Sequence, residues 1–101
     1  MREAAHVFTS AYAVEQLLHG PGFALEERDA FVGLDSGGPG SERLAELSAA
    51  IESRGARVYR FTETALSEPL SIFPLTAIVQ RVTLDFATLL GTDPDDVAPP
   101  V

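Results

Sequence analysis

The sequence predicts a small α/β fold, in which a parallel sheet of two or three strands is covered by helices. Two short apolar runs, at 30–34 and 57–61, have the length and composition of strands. The segment between them, 41–54, has the apolar spacing of an amphipathic helix. Strand, helix and strand in this order form a βαβ unit, whose two strands are parallel. A chain of 101 residues is long enough for one such domain, which we place at 1–92.

The first predicted element is a helix over residues 3–18. Its apolar residues recur at helical spacing, and the stripe consists of Val7, Ala11, Val14 and Leu18. The pattern stops at Gly20-Pro21, because proline disfavours helical geometry in the residue before it. His19 therefore stands at the C-terminal end of this helix, where its ring is able to reach a ligand. The alternative is a histidine that only caps the helix end.

A short strand and a glycine-rich loop follow. Residues 30–34 are continuously apolar and lie between polar segments, which is typical of a strand buried on both faces. The loop at 36–40 reads Ser-Gly-Gly-Pro-Gly and precedes a helix, so its N–H groups are candidates for binding an anion. The loop matches neither the G-x-G-x-x-G motif nor the P-loop motif, which are the two common glycine-rich phosphate-binding sequences. A plain connection between strand and helix is the alternative that we favour.

The helix at 41–54 and the strand at 57–61 complete the βαβ unit. Ser41 is the expected N-cap of the helix, because its hydroxyl can accept a backbone N–H, and Gly55 is the expected end. The apolar stripe that faces the sheet consists of Leu44, Leu47 and Ile51.

The C-terminal third is predicted to hold a loop, a long helix and a tail. Residues 62–71 are irregular, with a short edge strand near 65–66 as an option. Pro74 suits the first turn of a helix, and Gly91 ends it. Residues 93–101 form an acidic, proline-containing tail with little reason to be ordered. The wide apolar stripe of the helix consists of Leu75, Ile78, Val79, Val82, Phe86 and Leu89.

Composition and charge exclude several classes of function. The net charge of −8 argues against binding to the nucleic-acid backbone. The chain has no cysteine and no lysine, which excludes disulfides, thiolate chemistry and Schiff-base catalysis by its own side chains. His6 and His19 do not have metal-ligand spacing, and we expect neither a metal nor another cofactor. No membrane span or signal sequence is evident, so we expect a cytoplasmic protein without a membrane partner.

Three stretches of the chain match the motifs of one known family, in the same order. Residues 15–22 read Glu-Gln-Leu-Leu-His-Gly-Pro-Gly, and 3–21 align with the family segment without a gap. Residues 41–61 read as a helix, Arg-Gly and a strand, and 73–95 as a helix that ends in Gly-Thr-Asp-Pro-Asp. Together they resemble the C-terminal part of the sugar isomerase (SIS) domain, which occurs in phosphosugar isomerases and in glucosamine-fructose-6-phosphate aminotransferase. A complete SIS domain is a three-layer αβα sandwich, so the resemblance implies a partial version of it.

The resemblance also implies an activity and a set of site residues. SIS isomerases interconvert aldose and ketose sugar phosphates, with a glutamate that moves a proton between sugar carbons and a histidine that helps to open the ring. Glu3 and His19 occupy these two positions, so they are the predicted catalytic residues. Gln16 and Gly20 are the predicted substrate-binding residues. Gln16 stands where the family has a glutamate and Leu18 where it has a lysine, so two charges of the motif are missing.

Other interpretations stay open. Glu3 is equally an ordinary surface glutamate, and the chain is alternatively a non-catalytic module for sugar-phosphate binding or association, or a fragment of a longer SIS protein. The family's phosphate loop has no counterpart here, so we expect the isolated chain to be inactive as an isomerase. The expected ligand is a hexose 6-phosphate. A small sheet with a bare edge, together with wide apolar helix faces, predicts a homodimer or larger homo-oligomer.

Overall fold

The computed structural model of the chain describes residues 1–5 and 7–96, except for the side chains of Arg2 and Glu3. His6 and the end of the predicted tail lie outside the described residues. The elements follow one another as α1 (Arg2–Ala5), α2 (Val14–Leu18), a 3-10 turn (Pro21–Ala24), β1 (Ala30–Asp35), α3 (Ser41–Ser53), β2 (Arg57–Thr62), a second 3-10 turn (Glu68–Leu70) and α4 (Ile72–Leu90).

The small α/β fold that the sequence predicts is confirmed. β1 and β2 pair in parallel, in register from Ala30 opposite Arg57 to Asp35 opposite Thr62, and α3 connects them. Within the part of the chain that the structure describes, the sheet has two strands. The third strand considered near 65–66 does not form.

The core of this unit lies between α2, α3 and one face of the sheet. Its buried residues and the strand residues packed against them form one cluster, which consists of Leu17, Leu47, Ile51, Ala56, Phe31 and Val58. Gly33 lets α3 approach β1, because a Cβ at this position would lie 3.3 Å from Cδ1 of Leu44 and 3.4 Å from Cγ of Arg60. A glycine inside a strand is typical of such a close approach.

The helix predicted over residues 3–18 is wrong in its middle. Among the described residues of this range, Arg2–Ala5 and Val14–Leu18 are helical, and residues 7–13 are not. The residues between the two helices include valine, phenylalanine, threonine, serine and tyrosine, whose helix propensity is lower than that of alanine. Phe8 is 93% exposed, so burial of its ring contributes little that would offset this weakness.

The second face of the sheet is exposed, which contradicts the prediction of a strand buried on both faces. Val32 and Leu34 of β1 are 42% and 43% exposed, and Tyr59 of β2 is 49% exposed. Val32 stands opposite Tyr59 and Leu34 opposite Phe61, so these four side chains form one apolar face. Parallel sheets are usually covered on both faces. Here α3 packs against the face that carries Phe31 and Val58, and the face that carries Val32, Leu34 and Tyr59 is exposed.

The chain divides into two compact units. One unit comprises Tyr12–Leu75 and holds the sheet with α2 and α3. The other comprises Met1–Ala11 and Thr76–Val101 and holds α1 and most of α4. Ala5 and Ala87 are fully buried in this second unit. The single domain that the sequence predicts stays a prediction.

α4 is the longest helix among the described residues, and much of its apolar surface is exposed. Pro74 lies in its first turn, as predicted, and Gly91 follows its end with a φ of 68°. Leu89 is 82% exposed and Phe73 is 71% exposed. By length and composition alone, Glu68–Leu90 also fits a membrane span, with a mean hydropathy of 1.3 in its best window. Core helices of water-soluble proteins pass the same test.

Candidate functional site

Three of the predicted site residues, Gln16, His19 and Gly20, lie around the end of α2. Gln16 stands in the first turn, where its Oε1 accepts a hydrogen bond from the backbone N–H of Ala13 at 3.1 Å. This contact caps α2, so a side chain predicted to bind substrate also serves the local fold. His19 directly follows α2 as its C-cap, and its backbone N–H donates to the carbonyl oxygen of Glu15 at 3.2 Å.

The side chain of His19 stands in solvent. It is 82% exposed, and its Nε2 lies 3.9 Å from Oε2 of Glu15. The other carboxylate oxygen of Glu15 accepts a hydrogen bond from Nε of Arg43 at 3.0 Å, and Arg43 also pairs with Glu46. His19 thus lies at one end of a surface row of polar side chains, His19, Glu15 and Arg43, that joins α2 to α3. An exposed contact of this length holds the ring weakly, which leaves the imidazole able to turn toward a ligand.

A narrow apolar pocket lies between the C-terminal end of α2 and α3, beside the residues that lead to His19. Gly22 permits the tight turn at its edge, because a Cβ there would lie 2.7 Å from the carbonyl oxygen of Leu17. Arg54 supplies the positive charge of the lining and donates to the carbonyl oxygen of Phe23 at 2.8 Å. Small-molecule pockets usually measure about 300–1,000 Å³. This pocket measures about 80 Å³ and is lined by Leu17, Leu18, Gly22, Phe23, Leu47, Ala50, Ile51 and Arg54.

Gly20 and Glu3 complete the predicted set. Gly20 directly precedes the 3-10 turn. Apart from its two chain neighbours, no atom of the described residues lies within 4 Å of the position that its Cβ would take, so the space there is open. Glu3 belongs to α1 in the other compact unit, and its side chain lies outside the described residues. Because residues 7–13 are not helical, one continuous helix does not carry the spacing between Glu3 and His19 that the resemblance implies.

A second polar cluster, which the sequence analysis does not identify, lies where β1 ends. Asp35 is the last residue of β1 and is only 3% exposed. Its Oδ1 accepts the backbone N–H of Gly37 at 2.9 Å. Its Oδ2 accepts the hydroxyl of Ser41 at 2.7 Å and the guanidinium of Arg60 at 2.8 Å. These donors, first Gly37 and then Ser41, lower the pKa of Asp35 below its ordinary value, although burial opposes them.

This cluster corrects the prediction for the start of α3. Ser41 is not the N-cap: Gly40 takes that position, and the hydroxyl of Ser41 donates to Asp35 instead. The sequence signal for the cluster is the order of an apolar run and then Asp-Ser-Gly. A polar residue at the carboxyl end of a parallel strand lies at the edge where α/β proteins place many of their functional groups.

The glycine-rich loop at 36–40 joins β1 to α3, and its surroundings are acidic. Gly37 adopts a φ of 72°, and its N–H is already donated to Asp35. The hydroxyl of Ser36 lies 3.4 Å from Oε1 of Glu68 and donates to it. The Glu68 carboxylate beside the loop repels an anion, and the guanidinium of Arg60 is already paired with Asp35, which argues against phosphate binding at this end of the sheet.

The two clusters differ in the chemistry that they offer. The Asp35 carboxylate is enclosed by three donors inside the fold, so it is placed to hold the fold together and not to act on an external substrate. The imidazole of His19 faces solvent and can act as an acid or a base. Within the described residues, no group of three or more histidine, aspartate or glutamate side chains is placed to hold a metal ion.

The chain has no significant match among protein-family models, curated proteins or solved structures. The resemblance to the SIS domain therefore stays a prediction from the motifs. A small α/β fold is compatible with many functions, so a function can be inferred only from the chemistry of the site.

Proposed function

We propose that the chain contributes one corner of an SIS-type sugar-phosphate site and that His19 contacts the sugar there. The observation that carries this proposal is the 82% exposed side chain of His19 at the end of α2, next to an apolar pocket whose lining includes Arg54. An imidazole can exchange protons with sugar oxygens near neutral pH. The proposed ligand class is a hexose 6-phosphate, and the proposed location is the cytoplasm.

The neighbours of His19 support a polar, anionic ligand at this corner. Arg54 lies in the pocket lining, and a guanidinium recognises phosphate through paired N–H donors. Glu15 and Arg43 lie along the same surface and supply an acceptor and donors for sugar hydroxyl groups. The open space at Gly20 gives the ligand access to the ring.

In this proposal the isolated chain binds the sugar phosphate without isomerising it. Turnover requires the base, the ring-opening acid and the phosphate anchor to be held at fixed distances from the substrate. The pocket of about 80 Å³ is too small to enclose a hexose phosphate. Glu3, the proposed base, belongs to the other compact unit.

An association role is the second candidate, and the exposed sheet face favours it. Val32, Leu34 and Tyr59 are each more than two-fifths exposed on that face, and an apolar patch of this kind often marks a protein contact. A protein surface placed over it would restore the two-sided burial that is usual for parallel sheets. Light scattering at tens of micromolar should show a dimer or a larger assembly, and a monomer contradicts this role.

The sugar-phosphate proposal is tested by thermal unfolding in the presence of fructose 6-phosphate and glucose 6-phosphate. A ligand that binds only the folded state stabilises it by about 1.4 kcal/mol at ten times its dissociation constant. We expect a concentration-dependent rise in melting temperature that neither inorganic phosphate nor unphosphorylated fructose produces. His19→Ala and Arg54→Ala should each abolish this rise.

Matched controls distinguish a specific effect from a general one. Arg28→Ala removes an exposed arginine that pairs with Glu26, and Gln80→Ala removes an exposed polar side chain of α4. Both variants should keep the ligand-dependent rise. A rise that persists in His19→Ala contradicts the proposal. Measurable interconversion of the two sugar phosphates, abolished by Glu3→Gln, contradicts the absence of turnover.

A further inference from the structure

One side of the β2 backbone is unpaired, because β2 lies at an edge of the two-stranded sheet. The backbone N–H of Arg57 donates to the carbonyl oxygen of Asp29, and that of Glu63 donates to Asp35. Alternate residues of a strand pair with the same neighbour, so the odd-numbered residues from 57 to 63 face β1. The three residues between them, which turn their N–H and C=O groups outward, are Val58, Arg60 and Thr62. Within the described part of the chain, no hydrogen bond reaches these outward groups.

β2 is the more open of the two strands. Gly33 and Asp35 of β1 are buried, whereas no residue of β2 is buried. The pairing of β2 with β1 is continuous from Arg57 to Thr62, and β2 contains no proline, so neither a bulge nor a missing N–H interrupts its outer edge. Bulges and prolines are features that prevent the edges of natural sheets from pairing. Without them, the edge of β2 can accept a further strand.

The side chains of β2 are basic, although the chain as a whole is acidic. The net charge of the chain is −8, but residues 54–62 contain three arginines and no aspartate or glutamate. Arg60 pairs with the buried Asp35. Arg57 is exposed, and it forms no ion pair with any described residue. A positive charge on an edge strand repels a strand of like charge and attracts one that carries carboxylates.

We propose that the outer edge of β2 binds an extended acidic segment of another protein, which joins the sheet as a third strand. The backbone of the segment pairs with the outward N–H and C=O groups of β2, which is the usual mode of recognition by strand addition. A carboxylate of the segment stands opposite Arg57. Apolar side chains stand opposite Tyr59 and Phe61, which lie on the same face of the sheet as Arg57. The partner segment therefore combines aspartate or glutamate with apolar residues and has no proline where it pairs.

A strand from a second copy of the chain fits this edge less well. Pairing β2 with β2 of another copy brings four arginines into one pair of strands, and β2 offers no carboxylate to match them. Residues 30–34 of β1 are uncharged, and its one carboxylate, Asp35, is buried and already paired with Arg60. The inference rests neither on sugar-phosphate binding nor on the association role proposed above.

Amide hydrogen exchange, followed by NMR, tests the edge with a capped peptide of sequence Glu-Val-Val-Val-Val-Glu as the probe. The peptide reads the same in both directions, so parallel and antiparallel pairing both set a glutamate opposite Arg57. In the free chain, the N–H groups of Arg60 and Thr62 should exchange at least about tenfold faster than those of Tyr59 and Phe61, which bond to β1. Saturating peptide should slow the exchange of Arg60 and Thr62 by about tenfold or more.

A basic peptide of sequence Lys-Val-Val-Val-Val-Lys is the matched control for charge. It has the same length and the same four valines, so it offers the same backbone and apolar contacts. We expect its dissociation constant, from NMR titration, to be at least about tenfold higher than that of the acidic peptide, because lysine faces Arg57. Equal dissociation constants for the two peptides overturn the assignment of an acidic partner.

Two substitutions in β2 separate the roles of charge and backbone. Arg57→Glu should raise the dissociation constant of the acidic peptide by about tenfold or more and make the basic peptide the tighter ligand. Thr62→Pro removes one outward N–H while the bonds to β1 remain, so it should weaken the binding of both peptides. Arg81→Glu makes the same change of charge in α4 and should leave the binding of the acidic peptide unchanged. Circular dichroism verifies the fold of each variant, and if Thr62→Pro does not fold, Arg57→Glu still decides.

Each remaining outcome decides against the inference. Failure of the acidic peptide to bind at about 1 mM overturns it. Slowed exchange at Val32 and Leu34, with Arg60 and Thr62 unchanged, assigns strand addition to the edge of β1 instead. Slow exchange at Arg60 and Thr62 in the free chain means that the edge is already covered. If that exchange becomes faster on dilution, a second copy of the chain is the cover.

Discussion

Two polar side chains of the same compact unit, Asp35 and His19, differ in how firmly the fold holds them. Asp35, at the end of β1, is 3% exposed and accepts hydrogen bonds from three donors. His19, at the end of α2, is 82% exposed, and Nε2 of its ring lies 3.9 Å from a carboxylate oxygen of Glu15. β1 and α2 pack on the same core, so the difference lies in what surrounds each side chain and not in the firmness of the element that carries it.

The comparison separates a polar residue that serves the fold from one that is available to a partner. A buried carboxylate is costly unless it is paired and hydrogen-bonded, and among the described residues no buried side-chain polar atom lacks a partner. The donors around Asp35 come from the loop after β1, from α3 and from β2. They therefore allow these elements to pack around a buried carboxylate. An exposed imidazole does not need hydrogen-bond partners within the protein. The fold therefore does not require a histidine at position 19, and binding to a ligand can account for it.

The largest expected effect is that of Asp35→Ala. The substitution leaves the Arg60 guanidinium, the Ser41 hydroxyl and the Gly37 N–H without their acceptor at a site closed to most solvent. We expect the free energy of unfolding to fall by about 2–4 kcal/mol, measured by urea denaturation followed by circular dichroism.

An exposed aspartate provides the control for this substitution. Asp93 also accepts a backbone N–H, from Asp95 at 2.9 Å, but in an exposed turn. Asp93→Ala should change the free energy of unfolding by no more than about 0.5 kcal/mol. Equal effects of Asp35→Ala and Asp93→Ala would show that the enclosed cluster does not hold the fold.

A smaller effect is expected from acid. The folded state lowers the pKa of Asp35 below the ordinary value of 3.8, so its carboxylate contributes its full stabilisation above pH 3.8. This contribution is lost as the pH falls from 3.8 through the lowered pKa of the folded state. In Asp35→Asn the urea midpoint should therefore fall less between about pH 7 and about pH 2.5 than in the original chain. Parallel acid dependence in both proteins would assign the loss to other carboxylates.

The sequence predicts the parts of the fold that local patterns determine. The strand at 30–34, the helix at 41–54 and the strand at 57–61 are confirmed to within a residue or two, because apolar periodicity and Gly55 mark them. The N-terminal helix is wrong because apolar spacing continues through residues 7–13, although those residues favour helix weakly. Spacing shows which face a helix would bury, but it does not show whether the helix forms.

The candidate site is predictable only in part, for a related reason. His19 is one of two histidines in the chain and stands next to Gly20-Pro21, so the sequence alone draws attention to it. The role of Asp35 depends on Arg60, which lies 25 positions away along the chain and reaches the carboxylate only after β1 and β2 pair in register. Ser41 illustrates the same point, since its hydroxyl is expected to cap α3 and instead donates to Asp35. Long-range pairing of this kind leaves no periodic signal.

The smallest expected effect on stability is that of His19→Ala, and it completes the comparison. The ring buries little surface, and its pairing at 3.9 Å with a Glu15 carboxylate that is itself 61% exposed is of the kind that contributes little to folding. We therefore expect the urea midpoint of His19→Ala to match that of the original chain within experimental error. The backbone N–H of residue 19 still donates to the carbonyl oxygen of Glu15 in this variant, so the end of α2 is preserved. A loss of stability as large as that of Asp35→Ala would mean that the imidazole holds the helix end, and the reason for assigning His19 to a ligand would disappear.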